Sequence, residues 1–362
     1  MITLTGEGLG GHLRFFSALS LDKLTTGDGV LAIGAWGGSF YDREHQHDYV
    51  HEAVVSLVGD IGPGGRKGQV GISGGKGLAP FGSDPPMMRP VLHQPVNEHW
   101  TQIMDRLLAV LTLRFPRVGF EGALFDNGSQ NGQGHPAQSD SAGHNHAECS
   151  ICTNHRGASR SARVTLWPLR GLEIRGSLAT IVGSAHHVGA GAESQGLWNL
   201  STRFDRPAGQ GRLVILAEVG AAHAERSYRT VLAEGQWSSG DEHHRFYYRF
   251  ESTDRPEAPR SADLFRVAPD TLGAPVGVTR WTVHTAGYGF AFRARALSAE
   301  PLLELSLGRV ASVGTPAVNL DELYGRRTLW SVVLGVRVSL GSPHSMGRYG
   351  ALAGPDHPAH HH

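Results

Sequence analysis

Polar and apolar residues alternate with a period of two along most of this chain, and helical periodicity is hard to find. The clearest case is TLWSVVLGVRVSLG. Trp330, Val332, Leu334, Val336, Val338 and Leu340 fall on one face, and Ser331, Gly335, Arg337 and Ser339 on the other. In LWNLSTRFD, Trp198, Leu200 and Phe204 alternate with Asn199, Ser201, Arg203 and Asp205. In HRFYYRFES, Phe246, Tyr248 and Phe250 oppose Arg245, Arg249 and Glu251. In PLLELSLGR, Leu303, Leu305 and Leu307 oppose Glu304, Ser306 and Gly308. This pattern predicts about fourteen antiparallel strands, beginning near residues 10, 51, 65, 102, 117, 161, 172, 195, 211, 226, 242, 277, 301 and 327.

The connections carry more information than the strands. IGPGG, FPRV, LRGL, RPAGQ, SSGD and ALSAE join successive pairs as tight turns, each rich in turn-forming residues. The links between pairs are long, at 24–50, 77–101, 127–160, 183–194, 255–276 and 314–326, and only the link near His223 is short. A soluble sandwich has no reason to gather its long loops at one end. A transmembrane β-barrel does, with short periplasmic turns, long external loops, an even strand number and both termini on the periplasmic side. The fold expected is therefore an all-β antiparallel barrel over residues 1–341, with residues 342–362 as a His- and Met-containing periplasmic tail. A large soluble β protein with a hydrated outer face would show the same alternation; the asymmetry of the connections favours the barrel. Trp198, Trp237, Trp281 and Trp330 stand near segment ends, where interfacial girdles belong.

On the polar face Arg203, Arg245, Arg249 and Arg337 stand with Asp205, Glu218, Glu251 and Glu304. These eight are the expected lining of a lumen, and their mixed sign predicts a hydrated passage without strong ion selectivity.

Composition narrows the classes. Lysine plus arginine equals aspartate plus glutamate, at 33 each, so nothing suggests a nucleic-acid partner. No apolar run reaches eighteen residues, which excludes a transmembrane helix. No signal peptide is visible at MITLTGEGLGGHLRFF. Two cysteines cannot staple 362 residues. Histidine, at 21, is the unusual count.

Three loops hold metal-type ligands. In HNHAECSICTNH, Cys149 and Cys152 with His146 or His155 have the donor set for zinc or a softer ion. The deaminase signature and the C-x-x-C-H of haem attachment both fail on spacing. In DREHQHDYVHE, His45, His47 and His51 lie beside Asp48 and Glu52, a set suited to zinc or copper. Met87, Met88, His93 and His99 form a third group, in a proline-rich stretch that is able to fold inward and narrow a lumen. The alternatives are mobile or packed loops with no ion, and no cofactor is required for the barrel. GISGGKG lacks P-loop spacing and no catalytic triad is marked, so no enzyme is expected.

Three stretches, YDREHQHDYVHE (41–52), KGLAPFGSDPPMMRPVLHQPVNEHW (76–100) and FEGALFDNG (120–128), resemble a group of bacterial outer-membrane porin-like β-barrel proteins with no assigned activity. The first motif of that group reads D-R-x-H-P-H, and Gln46 stands here at the proline. The resemblance implies an outer-membrane barrel in a Gram-negative bacterium and brings no activity with it. Three readings follow: a channel for small solutes or ions, a surface protein that binds copper or zinc, or a structural barrel that docks partners. Lipid is the implied surrounding in each, and oligomeric state is not legible.

Overall fold

A computed structural model describes residues 2–19, 50–62, 68–83, 91, 103, 106–126, 158–182, 194–224, 226–257, 265–267, 277–294, 297–315 and 317–340. The strands are β1 (Ile2–Gly8), β2 (Leu13–Leu19), β3 (Val50–Ile61), β4 (Gly68–Gly77), β5 (Arg106–Arg114), β6 (Val118–Phe125), β7 (Ser159–Leu169) and β8 (Leu172–Val182). They continue as β9 (Ser194–Ala208), β10 (Gly211–His223), β11 (Ser227–Ser239), β12 (His244–Pro256), β13 (Val278–Phe290), β14 (Phe292–Ala294), β15 (Leu297–Val313) and β16 (Thr328–Leu340). One short helix, α1 (Leu320–Tyr324), precedes β16.

All sixteen strands join one antiparallel sheet in chain order. The count corrects the expected fourteen. One addition is β1, which pairs with β2 from Ile2↔Leu19 to Gly8↔Leu13. The other is β14, three residues that resume the pairing of β13 with β15 beyond Ala291. Because β14 continues β13, the chain crosses the sheet fifteen times, and the edge strands β1 and β16 run in the same direction. Ile2 consequently lies at the long-loop end and Leu340 at the turn end, which corrects the expectation of both termini on one side. No pairing between β1 and β16 occurs among the described residues.

Local sequence explains the punctuation. Arg170–Gly171 and Gly209–Gln210 make two-residue connections, the tight links that antiparallel neighbours permit. In the β11–β12 turn, Asp241 accepts from the Ser239 hydroxyl and from His243 N–H at 3.0 Å. These donors hold its carboxyl below the usual carboxylate range. The β7–β8 register breaks between Leu166 and Leu169, around Pro168, which has no N–H to give the ladder. In α1, Asn319 caps the helix by accepting from Glu322 N–H, which satisfies one of the free amide donors of the first turn.

Burial alternates with the same period as polarity, but inverted. On β15 and β16 the exposed face carries Leu303, Leu305, Leu307, Trp330, Val332, Leu334, Val336 and Val338, with Leu334 80% exposed. The covered face of β12 and β15 holds Arg249, Glu251 and Glu304, at 0%, 1% and 0%. Covering an aliphatic side chain is worth about 1.5–3 kcal/mol, so eight such residues left in water would forgo on the order of 10 kcal/mol, as much as the whole net stability of a domain. Trp281 departs from its expected place in a girdle. It is 0% exposed on the covered face, edge-on to Tyr324 at 5.4 Å and with its indole N–H donating to Thr279 Oγ1 at 3.0 Å.

Candidate functional site

The covered face is a wall of paired charges. Arg163 on β7 grips Glu121 on β6 with two hydrogen bonds, Nε to Oε2 at 2.6 Å and Nη2 to Oε1 at 2.9 Å. Arg175 and Glu173 pair on β8. Arg249 on β12 donates to Glu234 on β11 at 2.8 Å and to Glu251 at 3.4 Å. The Tyr247 hydroxyl reaches over β13 to donate to Glu304 on β15 at 3.1 Å. Toward the turn end Glu300 lies 3.1 Å from Arg245 and 3.9 Å from Arg337. Arg203 and Arg212 flank Asp205 at 3.5 and 2.6 Å. Buried charges persist only with opposite charges and hydrogen-bond partners, and the strand register supplies both. Glu234 stands directly across from Arg249, and Glu121 from Arg163.

All eight residues expected to line a lumen, Arg203, Asp205, Glu218, Arg245, Arg249, Glu251, Glu304 and Arg337, lie on this covered face. Their surroundings range from the fully covered Arg249 to the 28% exposed side chain of Arg337 near the β16 edge. Sequence reading missed Glu121, Arg163, Glu173, Arg175, Glu234 and Glu300. The signal was present, since β6 to β8 alternate charged and small residues against Phe120, Leu124, Val164 and Leu166.

At the long-loop end the covered face turns apolar. Val54, Val110, Ala123, Phe125, Ile181, Leu197, Ala222 and Tyr228 form one cluster with Ala79, Phe81 and Ile103 from the segment after β4. That segment crosses the sheet. Gly82 N–H donates to Ser177 Oγ on β8 at 2.9 Å, and Arg163 on β7 donates to Gly82 O at 3.5 Å. At about 4.8 Å per strand, β8 is some 19 Å from β4 around the sheet. The chain there leaves the wall and lies over the polar face, anchored by Phe81, which is 3% exposed.

Two further long links are fastened at the same end. Buried Glu257 accepts from Arg266 at 2.9 Å and from the Tyr324 hydroxyl at 2.7 Å. It also accepts from Thr279. Burial, reinforced by the Glu257 carboxylate, pushes the Tyr324 hydroxyl well above its ordinary pKa. Val267 N–H donates to Leu323 O at 3.1 Å, which joins the β12–β13 and β15–β16 links.

The candidate metal ligands His45, His47, His146, Cys149, Cys152 and His155, the group Met87, Met88, His93 and His99, and the tail 342–362 lie outside the described residues. So do most of the links 24–50, 127–160 and 183–194. His51 is the extra residue where β2 pairs Ala18 with Glu52 and Leu19 with Val50. Among the described residues no group of three or more His, Cys, Asp or Glu is arranged to hold a metal ion. Of the three motif stretches, FEGALF forms most of β6.

No protein-family model matches the sequence, and no curated protein matches it. Solved structures do. OprB of Pseudomonas putida, in a high-pH structure, matches with a TM-score of 0.51 at 11% identity, over 92% of this chain and 84% of that one. A porin refined at 1.8 Å resolution matches with a TM-score of 0.42 at 9% identity, over 93% and 90% of the two chains. OmpT, an outer-membrane protein of Vibrio cholerae, matches with a TM-score of 0.39 at 9% identity, over 79% and 88%. The likeness to OprB is one of fold.

Proposed function

We propose that the sheet closes into a barrel spanning the outer membrane of a Gram-negative bacterium and works as a porin-like channel for small solutes or ions. The observation that carries this reading is the inversion of burial. The exposed face is leucine, valine and tryptophan, and the covered face is arginine and glutamate. Lipid is the solvent for which that arrangement is favourable, because acyl chains take the apolar face and closure leaves no unpaired sheet edge. Aromatic residues at the turn end of the exposed face fit a membrane interface: Phe246, Tyr288 and His244 lie together, with the Tyr288 hydroxyl and His244 Nδ1 2.9 Å apart.

Within the barrel the paired charges of β6 to β16 would line the route. A solute crossing it meets acceptors and donors in alternation, and Glu121, Glu173, Asp205, Glu234, Glu251 and Glu300 each have a guanidinium nearby. The net field is small, so cations and anions pass with similar ease. The segment 78–83 would narrow the passage at the external end, holding Phe81 and Ala79 against the wall. The Glu257 latch would keep the neighbouring loops clear of the opening. Zinc or copper, if captured, would bind on the external loops that carry Cys149, Cys152 and the histidine groups, apart from the route itself.

The test is single-channel recording of the purified protein in a planar bilayer. Stepwise conductance with little cation or anion preference is expected. Folded, inserted protein that never conducts would overturn the channel reading and leave a surface or docking barrel.

A further inference from the structure

At the long-loop end of β15 and β16 the exposed face changes character abruptly. Along β15 the exposed positions run Leu303, Leu305, Leu307 and then Arg309. The switch from aliphatic to cationic takes two residues, about 7 Å of strand. Trp330, Val332 and Leu334 continue the same apolar band on β16, and Arg326 and Arg327 stand exposed just before that strand. Arg309 and Arg327 border a hollow of about 240 Å³, with Ser312, Asn319 and Leu320 also in its lining.

The Arg309 side chain has no hydrogen bond or ion pair among the described residues. Among the described residues the Arg327 side chain pairs only with exposed Asp321, at 3.6 Å. Farther along the rim Arg280 holds Asp254 at 2.7 Å, and Arg229 is exposed on β11. Among the described residues the acids near these five arginines are Asp254, Asp321 and Glu322, so the described part of the rim is cationic although the chain as a whole is neutral. An unpaired guanidinium directly above a leucine band meets two chemistries at once. A guanidinium binds phosphate through paired N–H donors, while the aliphatic side chains below it take hydrocarbon.

We propose that the β15–β16 rim is a binding site for the phosphorylated headgroup of an outer-leaflet lipid, with Arg309 and Arg327 on the phosphate and Leu305, Leu307 and Trp330 along the acyl chains. The site rests on the reading of the long loops as external.

The experiment measures retention of diphosphorylated lipid A by the detergent-purified protein, using native mass spectrometry. The protein is compared with Arg309→Gln/Arg327→Gln and with Arg293→Gln, which removes an exposed arginine paired with Glu242 at the opposite rim. The double variant is expected to bind at least about tenfold more weakly, the loss of one or two charge-assisted contacts, with Arg293→Gln unchanged. Equal retention by all three proteins would overturn the site. Displacement of lipid A by millimolar inorganic phosphate alone would overturn the lipid assignment in favour of a simple anion site. Conductance recorded on the same preparations separates the two readings: a silent protein that still retains lipid A through Arg309 and Arg327 removes the channel and keeps the site.

Discussion

Tyr247 lies across Gly287, its direct partner on β13, and reaches Glu304 on the strand beyond. A Cβ at position 287 would come within 2.2 Å of the Tyr247 ring, so the bridge exists only because position 287 has no side chain. The device repeats two residues on. Glu300 reaches over Gly289 to Arg245, and a Cβ there would stand 2.2 Å from the Glu300 carboxylate. Two glycines on one strand thus form a trough in which side chains from β12 and β15 meet.

Gly287→Ala therefore forces Tyr247 off Glu304. Overpacking of this kind costs about 1–3 kcal/mol, and the displaced ring would enter the space above the polar face. Urea unfolding of vesicle-embedded protein should show the loss, and single-channel conductance should fall. Unchanged values for both would mean that the Tyr247–Glu304 bridge is dispensable.

Arg249 is the counter-ion of Glu234 and Glu251. Arg249→Met leaves two covered carboxylates without it, at a cost of about 3–5 kcal/mol. Adding Glu234→Gln and Glu251→Gln should recover most of that cost, because neither of those two side chains then needs a counter-ion. A triple variant as unstable as the single one would point to packing rather than charge.

Phe81→Ala removes the anchor of the crossing segment. Truncating a buried phenylalanine typically costs about 3–5 kcal/mol of local stability. The expected readout is a larger unitary conductance with the barrel still resistant to heat in detergent. A conductance equal to that of the parent would show that residues 78–83 do not limit the passage.

The Tyr324 hydroxyl keeps its proton in the folded protein above the pH of about 10 at which an unfolded chain releases it. The sign of the linkage follows. Loop stability is constant below pH 10 and declines as pH rises beyond it. Amide hydrogen exchange around Val267 and Leu323 should accelerate in that range, and Tyr324→Phe should show faster exchange already at neutral pH. Exchange in Tyr324→Phe that matches the parent at neutral pH would remove the latch from the account.

Replacing Cys149 and Cys152 by serine should leave folding and conductance unchanged, because the described strands pair without them. Failure of the double variant to fold would make the loop structural. Loss of zinc or copper uptake alone would locate metal binding there.

Much of this fold can be read from alternation, since one period decides both the strand and the face. Most of the fourteen segments are visible because they carry three or more apolar residues in phase, as in β16; β4, with only Val70 and Ile72, is marked by the tight turn before it. ITLTGEG was not, because only Ile2 and Leu4 are apolar in seven residues. β14 has three residues and no pattern to read. Trp281 misled for a different reason: Phe265 and Tyr324 cover it, and both come from links whose path the sequence does not encode. The helix α1 was announced by Asn319 with Glu322 three residues on, a capping arrangement, hidden inside what reads as a loop. The proline-rich stretch that begins with 78–83 reads as able to fold inward, but its landing point on Ser177 does not, because a hydrogen bond between positions 95 residues apart leaves no periodic trace.

With β14 counted as the end of β13, every described strand pairs only with its neighbours in the chain. Assembly can therefore proceed strand by strand, each new strand finding its template already beside it. It also separates two kinds of inheritance. A two-residue turn such as Gly209–Gln210 sets the register of β9 on β10, so an insertion there would slide every paired charge against its partner. A long link at the opposite end sets no register, and doubling its length costs only about 0.6 kcal/mol of closure entropy. Such a chain is free to rewrite one end of the barrel in sequence and length while the wall stays as it is.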